Sequence, residues 1–204
     1  PKQRLRAKMF RCTAQLLFMR MAGPAAAQAS HSLELLKGAD TGINPRYLLQ
    51  DPNGRSITSE DFRGRFQLIS FGYTYCPDIC PTTLVEMAAI LKQLGDQAAR
   101  IQPIFITVDP ERDSGQILKT YTEFFDPRIL GLTGPAALVR RAADNFKIRY
   151  AKVPDSGKDQ QNYAVDHSAG MIFIGPDGQF IKKFAFATPI IEIVGQITEV
   201  FKQY

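Results

Sequence analysis

Cysteine and histidine are scarce in this chain, three of the one and two of the other among 204 residues. So few cysteines exclude a small secreted scaffold stapled by disulfides. Acidic residues are missing from one place. Residues 1–29 hold six basic groups (Lys2, Arg4, Arg6, Lys8, Arg11 and Arg20) and no Asp or Glu. The remainder carries 19 basic groups against 20 acidic ones, so the net charge of +5 belongs to the N-terminal segment. That distribution gives no sign of a nucleic-acid surface on the body of the protein. No internal repeat is present. With 45% hydrophobic residues the chain is neither disordered nor collagenous, and it is long enough for one well-buried domain.

The first 29 residues have the parts of an export signal: a basic start, a short apolar centre (Leu16, Leu17, Phe18, Met19) and a small-residue end, Ala27-Gln28-Ala29. This pattern places a cut before Ser30. Arg20 interrupts the apolar centre, which is far shorter than the roughly 20 residues needed to span a bilayer. An acid-free, Arg-rich leader also suits a mitochondrial presequence, and the Ala-rich end favours export over that alternative. The expected organisation is a leader at 1–29, a linker at 30–45 and one domain at 46–204.

Hydrophobic period and turn residues outline that domain. Asp51-Pro52-Asn53-Gly54 between 46–50 and 55–58 reads as a hairpin, because Asn-Gly supplies the positive φ of a tight turn. Residues 66–71 read as a strand. Leu84, Met87, Ala88 and Leu91 recur at helical spacing over 81–94, with Gly95 as the stop. The near-continuous apolar run at 101–108 suits a strand covered on both faces. A helix through Ile117, Leu118, Tyr121, Phe124 and Phe125 follows, then a short strand at 129–132 and a helix from Pro135 to Phe146. Residues 148–153 are strand-like and 154–162 read as a loop. A second hairpin forms over 171–174 and 180–184, and a last helix carries Ile190, Val194, Ile197 and Phe201 on one side. Alternating strands and helices with hairpins at both ends predict an α/β domain: a mixed central sheet, helices on both faces and an added N-terminal hairpin.

Cys12 falls in the leader. The other two cysteines form Cys76-Pro77-Asp78-Ile79-Cys80, followed by Pro81, between a strand and a helix. The plainer readings are two buried small hydrophobes or a structural disulfide. Against them, Pro81 suits only the first turn of the helix, so the pair caps a helix N-terminus, where exposed N–H groups and the dipole favour a thiolate. Three residues between the cysteines, rather than two, separate this motif from the usual dithiol reductase. An i to i+4 pair can share a metal or oxidise. Two thiolates suit Cu(I) or Zn(II), and zinc usually wants four ligands. His31 lies beside the cleavage site, which leaves His167 in Asp166-His167-Ser168. Two sulfurs and one imidazole make a three-coordinate site that suits Cu(I) better.

Three separated motifs, Phe71-Gly72-Tyr73-Thr74-Tyr75-Cys76-Pro77-Asp78-Ile79-Cys80-Pro81, Val108-Asp109-Pro110-Glu111-Arg112-Asp113, and Asp166-His167-Ser168 with Gly175-Pro176-Asp177-Gly178, occur in the order found in the Sco (SenC/PrrC) family. The chain resembles that family over roughly 45–204. The resemblance implies a thioredoxin-like fold and copper, Cu(I) foremost and Cu(II) as a second state, held by Cys76, Cys80 and His167. It implies delivery to the binuclear copper site of cytochrome c oxidase subunit II, or thiol reduction of that site. A thiol reductant protein and a second periplasmic copper donor are the further partners expected. The location expected is the periplasm, free or tethered at the inner membrane, or else the mitochondrial inner membrane facing the intermembrane space. The alternative from another class is a thiol–disulfide oxidoreductase using Cys76 and Cys80. A peroxiredoxin-type peroxidase is disfavoured, because Thr74 stands only two residues before Cys76. The acidic motif after Val108 is expected near the dithiol as a solvated turn capping the next helix. Tyr73 and Tyr75 shield the site or pack, and Phe124 and Phe125 belong to the core.

Overall fold

A computed structural model describes residues 42–154 and 163–204. The leader, its cleavage site, Cys12, His31 and most of the linker and of the 154–162 loop lie outside the described residues. The Asn53-Gly54 turn forms as expected. Leu48–Gln50 (β1) and Ser56–Thr58 (β2) pair antiparallel around Gly54 at φ +79°. The Asp51 carboxylate accepts the Asn53 and Arg55 backbone N–H groups, each at 2.9 Å.

Phe66–Gly72 (β3) is buried at every position and is the central strand. Ile79–Leu94 (α1) follows, stopping at Gly95 with φ +55°. Next come Ile101–Thr107 (β4), Gly115–Phe125 (α2), Leu130–Leu132 (β5) and Ala136–Asn145 (α3). The chain continues through Tyr150–Pro154 (β6), Tyr163–His167 (β7), Met171–Ile174 (β8), Phe180–Phe184 (β9) and Ile190–Phe201 (α4). The main sheet runs β5-β4-β3-β8-β9. β3, β4 and β5 are parallel, while β8 and β9 are antiparallel to their neighbours, which makes the sheet mixed.

Alternation along β3 sends Phe66, Leu68 and Ser70 to one face and Gln67, Ile69 and Phe71 to the other. On the first face Phe66 meets Phe201 of α4 at 4.8 Å between ring centroids, and Phe105 of β4 meets Tyr121 of α2 at 5.8 Å. On the second face Phe71 meets Phe146, just after α3, at 5.4 Å. Buried Gln67 there accepts the Tyr47 hydroxyl at 2.8 Å, which gives both buried polar groups a partner beneath the N-terminal hairpin. Helices therefore cover both faces, and each large apolar side chain fully buried between them contributes about 1.5–3 kcal/mol.

One expectation needs correcting, and one element lies outside what was expected. Phe124 is 84% exposed rather than core, because it lies about 100° around α2 from Phe125, off the stripe of Leu118 and Thr122. The unexpected element, β7, falls in 163–170, a stretch for which the sequence pattern predicts no element. β7 returns to pair with β6 as a separate two-stranded sheet. It was hidden because a hairpin outside the main sheet buries little and so needs no apolar run.

Candidate metal centre

At the carboxyl end of β3 the chain turns through Tyr73, Thr74 and Tyr75 into Cys76. The Cys76 N–H donates to the Tyr73 carbonyl at 3.3 Å. The Thr74 N–H and hydroxyl donate to the Asp113 carboxylate at 3.1 and 2.6 Å, and the Thr107 hydroxyl donates to it at 2.7 Å. Asp113 thus ties the cysteine turn to the end of β4. Burial raises its carboxyl above the usual carboxylate range, against the lowering effect of those hydrogen bonds from Thr74 and Thr107.

Cys80 lies in the first turn of α1, which begins at Ile79, two residues before the expected start. Its backbone N–H, one of those a helix start leaves free, donates to Cys76 Sγ at 3.4 Å. Gly72 makes room for the second sulfur. A Cβ at that position would stand 2.6 Å from Cys80 Sγ and 2.8 Å from the Phe105 ring. Cys80 is only 2% exposed, and burial pushes its thiol well above the ordinary range. The helix terminus therefore does not by itself make Cys80 a thiolate, because the loss of hydration outweighs it. A cation at the sulfur is what can take the proton's place.

His167 ends β7 and brings Nε2 to 3.2 Å from Cys80 Sγ. Its Nδ1 lies 3.1 Å from the Ser168 carbonyl, which has no proton to give. Nδ1–H is therefore the donor, and Nε2 keeps its lone pair for the sulfur side. Burial lowers the imidazole's proton affinity, which favours that neutral ring. The Tyr73 ring meets His167 edge-on at 5.9 Å. The donor atoms of Cys76, Cys80 and His167 all lie within 4.8 Å of one another, and among the described residues no other such group forms. All three predicted site residues are brought together. Two soft sulfurs and one imidazole, without a carboxylate in the set, match a monovalent copper cargo better than a four-coordinate zinc ion.

The acidic motif lies beside this centre, as expected, but it is not a solvated turn. Asp109 and Asp113 are buried. Asp109 accepts from Arg112 and, at 2.7 Å, from the Tyr163 hydroxyl, while Ser114 alone caps α2. Tyr73 is buried and shields the imidazole, whereas Tyr75 is 64% exposed at the rim. Gly72, Thr74, Arg112 and Tyr163 were not singled out as site residues. Gly72 carried a readable signal, since glycine at a strand end marks a close approach. The others depend on contacts between distant segments.

The SCO1/SenC family model matches residues 37–202. An SCO2-like protein of Rickettsia prowazekii is 41% identical over 160 residues, 78% of this chain and 76% of that protein. The structure of yeast Sco1 with copper bound is 36% identical and superposes with a TM-score of 0.72, covering 79% of this chain and 90% of that one. BsSco, a member of the Sco family of cytochrome c oxidase assembly proteins with a disulfide switch, is 27% identical with a TM-score of 0.58, covering 77% and 92%.

Proposed function

The chain belongs to the SCO1/SenC family, and from that premise we propose that it is a copper chaperone in which Cys76, Cys80 and His167 hold Cu(I). The observation that carries this reading is the convergence of two sulfurs and one imidazole nitrogen within 4.8 Å, from segments 87 residues apart. Copper is the cargo. A trigonal set of two sulfurs and one nitrogen satisfies Cu(I) and leaves the ion open to an incoming thiolate, so transfer proceeds by exchange of one ligand at a time. Cys76, half-buried and nearer the surface than Cys80, is the first sulfur a recipient meets. Neutral His167 needs no deprotonation to bind or let go.

The family serves cytochrome c oxidase assembly, as named for BsSco. The recipient proposed here is the binuclear copper site of oxidase subunit II. A thiol reductant protein restores the Cys76–Cys80 pair after oxidation, since a disulfide lacks the two thiolates that Cu(I) needs. A second periplasmic copper donor loads the site, and Cu(II) is a second state of the cargo. With a leader at 1–29 and a linker at 30–45, the location proposed for the copper-binding domain at 46–204 is the periplasm, free or tethered at the inner membrane, with the mitochondrial inner membrane facing the intermembrane space as the alternative. Among the described residues no helix is long and apolar enough to cross a membrane.

A second reading rests on the same free thiols. As a reductase the pair gives two electrons and two protons to a partner's disulfide, becoming a disulfide while the partner becomes a dithiol. His167 separates the two readings. X-ray absorption at the copper and sulfur edges of the reduced, loaded protein is expected to show one Cu(I) with two sulfurs and one nitrogen. His167→Ala is expected to lose copper to a competing chelator while dithiol reactivity stays largely intact. Unchanged copper retention in that variant overturns the three-ligand site and favours the reductase.

A further inference from the structure

We propose that Arg112 is the positioning residue that holds His167 over the two sulfurs, by locking the strand that carries it; this deepens, and rests on, the copper reading above. The need for such a lock comes from topology. β6 and β7 hydrogen-bond to each other and lie outside the main sheet. Four of the five β6 residues are exposed, and Val165 alone is fully buried on β7. Among the described residues no backbone ladder fastens the imidazole to the core as β3 and α1 fasten the sulfurs.

Side chains from the β4–α2 turn make the connection. Arg112 Nη1 donates to the Tyr163 carbonyl at 3.0 Å, and its guanidinium carbon lies 3.7 Å from the Tyr163 ring centroid. Its Nε pairs with Asp109, whose carboxylate also takes the Tyr163 hydroxyl. The same guanidinium stands 4.9 Å from the Tyr75 ring and 5.7 Å from the Tyr73 ring. One cation therefore touches both the start of the histidine strand and the turn leading into Cys76. Its side chain is only 18% exposed, so the ring contacts form in a partly desolvated place where they are worth most.

The lever is the strand itself. Tyr163, Val165 and His167 share one face of β7, with Tyr163 about 13 Å from His167 along the strand. At the other end the Ser168 N–H bond to the Arg149 carbonyl, 2.9 Å, continues the β6–β7 ladder, and buried Ile148 just before Arg149, whose N–H donates to the Ala143 carbonyl at 2.8 Å, ties this end to the core. With both ends held and Val165 buried between them, the imidazole has one height and one direction. Without Arg112 the Tyr163 end loses its carbonyl and ring-face contacts to that residue, keeps the hydroxyl bond to Asp109, and gains room to swing about the Ser168 end. Bonding a ring face, a carbonyl and a carboxylate together needs a planar fork, which lysine lacks.

The test uses Arg112→Gln, Arg112→Lys and Tyr163→Phe, each read in two ways. In the reduced protein without copper, nuclear Overhauser contacts between the His167 ring and the Cys80 β-protons report the geometry. In the Cu(I)-loaded protein, chelator competition reports retention. Arg112→Gln and Arg112→Lys are expected to lose the His167–Cys80 contact and about tenfold in copper retention. Tyr163→Phe keeps the ring and the carbonyl and is expected to stay near native. The double variant Arg112→Gln/His167→Ala is expected to be no worse than His167→Ala, the non-additivity of a residue acting through another. Additive losses, a retained contact, or full rescue by Arg112→Lys overturn the proposal. Should Arg112→Gln fail to fold, Tyr163→Ala removes the same grip from the strand side and is expected to lose the contact. If the native protein itself holds no Cu(I), the copper reading fails, while the contact in the copper-free protein still decides the clamp.

Discussion

The two halves of the metal centre rest on different foundations. The sulfurs stand between β3, buried along its whole length, and the first turn of α1, with Gly72 and Phe105 packed behind Cys80. The imidazole comes from a two-stranded hairpin outside the main sheet, held by one buried valine and a set of polar and cation–π contacts. Burial fixes the first half as part of the cooperative core, whereas the second half can be loosened one contact at a time. Local openings in proteins concentrate in segments of the second kind.

Cys80→Ser strikes the rigid half hardest. Replacing the buried sulfur with a hard hydroxyl is expected to lower Cu(I) retention more than about 100-fold, beyond what an outer contact to a ligand is worth, as chelator competition will show. Gly72→Val drives a side chain into Cys80 Sγ and the Phe105 ring. It is expected to cost about 1–3 kcal/mol in a urea melt and to alter thiol reactivity together with stability. A Gly72→Val protein as stable as the native one would mean that the core half is not tightly packed.

Val165→Ala asks whether the hairpin is separate. Losing two buried methyl groups costs about 1.5 kcal/mol, and hydrogen exchange is expected to quicken in β6 and β7 while β3 and β4 keep their protection. Equal quickening in both regions would erase the distinction. The smallest effect is a pH trend at Asp113. Burial raises its carboxyl, so the folded state binds the proton more tightly than the unfolded chain does. Stability from that group is full below the ordinary carboxylate value and declines as pH rises through the folded value. Asp113→Asn cannot titrate, so the melting temperature of the native protein relative to this variant is expected to fall as pH rises above the ordinary carboxylate value of about 4.

Much of this was readable before any coordinates. β3, β4, α1 and α4 follow from apolar runs and 3.6-residue periods, because a strand covered on both faces must be apolar and a covered helix must be striped. β7 was not readable in that way. Tyr-Ala-Val-Asp-His buries a single residue, so its alternation looks like loop sequence. Phe124 shows the opposite error, since hydrophobic character alone does not say which side of α2 meets the sheet. The acidic motif was placed correctly near the dithiol, yet the burial of Asp109 and Asp113 depends on Tyr163, Thr74 and Thr107 arriving from elsewhere in the chain.

By itself the sequence determined what a short stretch of chain can determine: that Cys76 and Cys80 share a turn entering a helix, because covalent geometry and Pro81 leave so brief a segment few options. Only the tertiary structure decided that His167 Nε2 lies 3.2 Å from Cys80 Sγ, with Arg112 gripping the strand between two rings and a carboxylate. Across 87 residues the chain imposes no distance. That approach is set by how the sheet, the β4–α2 turn and the outlying hairpin pack, which is a sum over many contacts no local pattern records.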